Sequence, residues 1–212
     1  MKIFFAAINH FDPLCRPRLL CWLRDKAQQN AEPPDFVGVE WEHGLFEDVK
    51  SQRAELHRLA EQTWPEAPFA FIDALVQALA FEGDTHLEVF SDVQTVWLDQ
   101  GRVVSDPTII THYARNRMKL YQSYLPKVSS YDESALIDMS HEAWRRCASA
   151  NRGATLRDGK FAAVIRRHLK ADSDSWAIVV VGADHASEEP GYLISRLKSA
   201  GVLCIVSDLR PE

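Results

Sequence analysis

Residues 177–181 read Ala-Ile-Val-Val-Val and run directly into Gly182-Ala183-Asp184-His185. Five successive apolar residues, four of them β-branched, show no alternation with polar side chains. That is the pattern of a strand buried on both faces in a parallel sheet, because helices must cover each side of such a sheet. Gly182 ends the run. Downstream, a helix is expected at 189–200, stopped by Gly201, and residues 202–206 (VLCIV) form a further apolar strand, which completes a βαβ unit. At the other end of the chain, residues 3–8 (IFFAAI) repeat the doubly buried pattern. Asp12-Pro13 and Pro17 then open a helix at 18–30, on which Leu19, Leu20, Trp22 and Leu23 recur at helical spacing. Glu32-Pro33-Pro34 stops that helix, and residues 36–40 (FVGVE) give the next short strand. The first 40 residues therefore read as a second βαβ unit, with a right-handed crossover expected. The predicted fold is α/β: a mostly parallel central sheet with helices on both faces.

The middle of the chain reads differently. Val49, Leu56 and Leu59 predict an amphipathic helix over 46–63, Trp64-Pro65 interrupts, and 69–81 predicts a more buried helix. Residues 87–105 are rich in β-branched and aromatic side chains, which predicts one or two strands and a hairpin turning at Asp99-Gln100-Gly101. Helices are expected at 107–125, 131–149 and 154–170. At 212 residues the chain fits a single α/β domain over 1–212, with 106–170 as a helical insertion, layer or lid.

Composition narrows the function classes. A hydrophobic content of 46% and a charged content of 25% are ordinary globular usage and argue against disorder or a coiled coil. The net charge of −6 and the scattered Lys and Arg residues give no footprint for nucleic acid. Cys15, Cys21, Cys147 and Cys204 show no Cys-x-x-Cys spacing, so reduced thiols and a cytoplasmic location are expected. No apolar stretch of about 18 residues occurs, so neither a membrane span nor secretion is expected. The sequence also lacks a phosphate-cradling glycine loop, a Gly-x-Ser-x-Gly elbow and a Cys with a nearby His.

In open α/β sheets ligands bind beyond the carboxyl ends of the strands. His10, Glu40 and His185 each stand at or just past such an end. Two imidazoles and a carboxylate suit two chemistries. They can hold a divalent metal (manganese, zinc or cobalt), with His10, Glu40 and His185 as ligands and a bound water made more acidic. They equally suit a metal-free site in which one His is the general base and the Glu orients its partner. His43 is expected to cap the following helix and Asp184 to serve as a turn residue. Asp92 and Asp99 lie near predicted strand ends, and the hairpin turn accounts for Asp99. His57, His86, His112, His141 and His168 are expected on the surface, since none has ligand spacing.

The elements Ala7-Ile8-Asn9-His10, Val39-Glu40 and Gly182-Ala183-Asp184-His185 resemble the two Gly-x-x-His motifs and intervening glutamate of the TraB/TIKI family. That family belongs to a wider group with the ChaN-like haem-binding proteins and the erythromycin esterases. Leu156-Arg157-Asp158 before a helix, strand and second motif follows the order of the family's C-terminal region. The resemblance covers the two ends and not the middle, and Ala7 stands where the first motif has glycine. It implies peptide or ester hydrolysis, metal-dependent in some members and metal-free in others, with His10, Glu40, His185 and Arg157 as the site. Arg157 would bind a substrate carboxylate or phosphate or stabilise an oxyanion; otherwise it is a helix-start residue paired with Asp158. The resemblance also leaves open a non-catalytic module that binds haem or another small molecule in the same pocket. The partner expected is a small-molecule or peptide substrate, with no nucleic acid and no membrane.

Overall fold

The computed structural model describes residues 1–100, 111–125, 130–149, 156–170 and 175–211. A five-stranded, all-parallel sheet runs through it in the order β3-β2-β4-β1-β5. Its strands are β1 (Lys2–Ile8), β2 (Val37–Val39), β3 (Thr95–Trp97), β4 (Trp176–Gly182) and β5 (Leu203–Asp208). β4, the stretch that decided the reading, is buried along its whole length and lies between β2 and β1.

The continuous apolar runs follow from this placement. Ile3, Phe5, Ala177, Val179 and Val181 enter a cluster with Phe161, Ile165, Leu193 and Leu197 of α7 (Leu156–Arg167) and α8 (Leu193–Lys198). Phe4, Ala6, Ile8, Ile178 and Val180 point the other way, onto Leu19, Trp22 and Leu23 of α1 (Cys15–Gln29). Both faces of the central strands are thus covered by helices, so neither face tolerates polar residues. A third cluster beside the sheet joins α2 (His43–Ser51), α3 (Arg53–Thr63), α4 (Phe69–Gln77), α5 (Tyr113–Tyr124) and α6 (Glu133–Ser149), with Tyr121 and Met139 fully buried in it. Among the described residues no helix is long and apolar enough to cross a membrane.

Four local expectations are corrected. The helix expected over 46–63 is two helices that break at Gln52, whose backbone N–H turns back onto Val49 and Lys50. It also starts earlier than expected, because the Glu42 carboxylate caps α2 by accepting from Gly44 N and Leu45 N. His43 is not the cap. Over 87–94 there is no strand: 3₁₀ turns at Phe81–Gly83 and Thr85–Glu88 lead into β3, and Val89, Phe90 and Val93 pack as loop residues under α1. Burial rather than strand pairing accounts for their composition. The second arm of the expected hairpin, 101–105, lies outside the described residues, and β3 itself pairs in parallel with β2. Finally, His86 is not on the surface. It is fully buried, its Nε2 lies 2.7 Å from Thr95 Oγ1, and burial pushes its pKa down to about 4.

Candidate active site

The sheet order brings the expected residues together. Because β4 sits between β2 and β1, with Val39 beside Val180 and Ile8 beside Gly182, the loops after all three strands open onto one edge. Glu40 follows β2 directly. Its carboxylate stands between the two imidazoles: Oε2 is 3.4 Å from His10 Nε2 and Oε1 is 3.2 Å from His185 Nε2. Two further donors fix it, since Gly182 N donates to Oε2 at 2.6 Å and Arg157 Nη2 reaches Oε1 at 2.9 Å.

Each imidazole is held from behind by another carboxylate. Glu82 Oε1 lies 2.6 Å from His10 Nδ1, and Asp158 Oδ1 lies 2.9 Å from His185 Nδ1. Asp158 also accepts Leu193 N at 3.1 Å, which ties the site to the start of α8. The result is one alternating row, Glu82–His10–Glu40–His185–Asp158, of three carboxylates and two imidazoles. Arg157 bridges Glu40 and Asp99, with Nη2 2.9 Å from Asp99 Oδ2. Arg117 from α5 donates to the backbone carbonyl of His10, and its guanidinium lies over the rings of Phe11 and Tyr113.

This arrangement shifts the ionisations. For His10, burial pulls the pKa down, but the Glu82 and Glu40 charges outweigh it and hold it well above the ordinary 6.5. His185 behaves alike: burial lowers its pKa, and Glu40 and Asp158 together raise it above 6.5. Burial would raise the Glu40 pKa, yet the two imidazoles keep it well below the usual carboxylate range. Opposite charges within hydrogen-bond reach prevail over desolvation at each member.

The two imidazoles are not equivalent. The His10 side chain is 26% exposed and lines an open cleft, together with Phe11, Glu40, Trp41, Tyr113 and Arg157. The His185 side chain is 8% exposed and lies behind Glu40, packed against the Phe161 ring. Only the first of them borders the cleft.

The glycine of Gly182-Ala183-Asp184-His185 has a physical reason. Its φ of −55° is open to any residue, so the constraint is space: a Cβ there would fall 2.9 Å from His10 Nε2 and 3.2 Å from Glu40 Oε2. Ala7, in contrast, is a regular β1 residue paired with Val181, and its φ is not positive. Glycine's freedom is therefore not needed at that position.

Other assignments change. Arg157 pairs with Glu40 and Asp99, and Asp158 serves His185 instead. Asp99 belongs to the site and not merely to a turn. Asp92 is exposed and stays outside it, as do Asp184, exposed in the Gly182–His185 turn, and His43, exposed with its ring 4.9 Å from that of Trp97. Sequence reading missed Glu82, 72 residues from His10, because nothing in Phe81-Glu82-Gly83 marks its environment.

The donor types suit a divalent metal. Among the described residues no group of three or more His, Cys, Asp or Glu side chains could hold a metal ion. Both Glu40 oxygens are already engaged by Gly182 N, Arg157 and the imidazoles, and the Arg157 cation stands where a second cation would be repelled. No family model, curated protein or solved structure matches the chain, so the likeness to the TraB/TIKI family rests on the motif residues alone.

Proposed function

We propose that the protein is a hydrolase of acyl bonds, ester or peptide, that works without a metal and uses His10 as its general base. The observation that carries this reading is the asymmetry of the row: a cleft-lining imidazole beside a carboxylate that the rest of the row holds in place.

In its neutral form His10 presents a lone pair on Nε2, next to Glu40 Oε2 at 3.4 Å. A water that donates one hydrogen to each of these acceptors is oriented with its oxygen lone pairs free to attack. As the water oxygen bonds to the acyl carbon, its proton passes to His10 Nε2. The carbonyl oxygen becomes an oxyanion, and Arg157 in the cleft wall offers the positive charge that stabilises it. Collapse of that intermediate breaks the bond to the leaving group, which takes the proton back from His10. Ester or amide plus water gives acid plus alcohol or amine, and the enzyme is unchanged. His185 does not touch substrate in this scheme; it holds Glu40 in place and balances its charge.

The test is a panel of p-nitrophenyl esters and short chromogenic peptides, with wild type, His10→Ala and His185→Ala compared before and after chelation. Turnover that survives chelation and is abolished in His10→Ala is expected. Activity lost on chelation and restored by manganese, zinc or cobalt would overturn the metal-free mechanism. Small-molecule or haem binding seen as thermal shifts, with no turnover on any substrate, would show a sensor instead.

A further inference from the structure

The segment that carries Glu82 is built at a cost. Ala80 takes φ 55°, the one positive-φ non-glycine among the described residues, just before the 3₁₀ turn Phe81–Gly83. Such a conformation is unfavourable for a residue with a Cβ and persists only where its surroundings fix it. Gly83 is tied as well, since a Cβ there would run into the Phe46 ring. Between these two constraints Glu82 is 1% exposed, with Oε1 on His10 Nδ1 and Oε2 without a hydrogen-bond partner among the described residues. A buried carboxylate with an unsatisfied oxygen is destabilising by itself. His10 is the group it touches.

We infer that Glu82 is the positioning residue of the site: it accepts the Nδ1 proton of His10, fixes the ring's orientation and tautomer, and thereby leaves Nε2 as the nitrogen that faces Glu40 and the cleft. The assignment rests on the hydrolytic reading for its purpose, but its geometry can be tested without turnover. His10 carries the proton on Nδ1 because Oε1 lies within 2.6 Å of it, whereas Nε2 meets Glu40 only at 3.4 Å. The shorter contact takes the proton when the ring becomes neutral. Arg117, bonded to the His10 carbonyl, fixes the backbone, so Glu82 has only the ring to orient.

The experiment is nitrogen-15 NMR on histidine-labelled full-length protein, with the His10 signals assigned by their loss in His10→Gln. Neutral His10 is expected as the Nδ1–H tautomer in wild type. In Glu82→Gln, which keeps the side-chain shape, that tautomer should lose its dominance and kcat for ester hydrolysis should fall at least about 100-fold, with KM within about twofold. A residue of purely structural role would change thermal stability and leave the tautomer alone. Neutral His10 protonated on Nε2 in wild type overturns the inference, as does a folded Glu82→Gln with wild-type kcat. If Glu82→Gln does not fold, the wild-type tautomer alone decides. If wild type hydrolyses nothing, the hydrolytic reading fails while the tautomer still reports on Glu82.

Discussion

Replacing Gly182 with alanine tests whether close packing, rather than backbone freedom, explains the second motif's glycine. The new methyl would lie 2.9 Å from His10 Nε2 and 3.2 Å from Glu40 Oε2. One neighbour must give way. Glu40 is held by Gly182 N, Arg157 and His185, so the His10 ring is the freer group, and turning it outward breaks its 2.6 Å contact with Glu82. A hydrogen bond to a charged group is worth about 1.5–3 kcal/mol. The loss should therefore destabilise the fold by about 2 kcal/mol, which in a domain of this size lowers Tm by about 4–8 °C. Thermal unfolding followed by circular dichroism reads that shift, and ester hydrolysis reads the second consequence. With Nε2 displaced by about 1 Å, kcat/KM should drop by about 100-fold. Gly182→Ala with wild-type Tm and wild-type kcat/KM would refute the packing argument.

Other perturbations give separate readings. His10 is held well above pKa 6.5 and is a base only when neutral, so kcat/KM should rise with pH to a midpoint above 6.5; a midpoint at or below 6.5 contradicts the row of charges. The raised pKa also stabilises the fold at pH values below 6.5, a contribution lost as pH rises through the folded value. His86 has the opposite sign: neutral and buried, with a folded pKa of about 4, it contributes fully above pH 6.5. Between pH 6.5 and 4 wild type should lose on the order of 3 kcal/mol more than His86→Gln in urea unfolding. Asp158→Ala leaves His185 unsupported behind Glu40 and removes the acceptor for Leu193 N, so urea unfolding should show a loss of about 3 kcal/mol. Asp12, fully buried, accepts from Leu14 N, Trp144 Nε1 and Arg18, joining the loop after β1 to α6; Asp12→Ala should cost about 3–5 kcal/mol in the same assay.

Apolar patterning is local in the chain, and so it determined a good deal. The runs at 3–8, 36–40, 177–181 and 202–206 marked four of the strands to within a few residues: the central strands are apolar throughout because both faces are covered, whereas β5 at the sheet edge leaves Leu203 and Ile205 exposed. Strand ends then pointed to His10, Glu40 and His185, since loops at the carboxyl edge of a parallel sheet share one space. The sequence could not tell which strands are neighbours. Placing β4 between β2 and β1 is what turns three separated polar residues into contacts of 3.2 and 3.4 Å. It also could not show the residues behind the imidazoles. Glu82 and Asp158 lie 72 and 27 positions from their partners, and Asp99 lies 58 from Arg157, so no spacing rule connects them. The packing of buried Phe90 and partly buried Val89 and Val93 in a loop misled the strand prediction for a related reason: the same side chains fill a core from any backbone conformation. Hydrophobic periodicity is written along the chain, whereas ionisation and orientation depend on which distant segments are folded against one another.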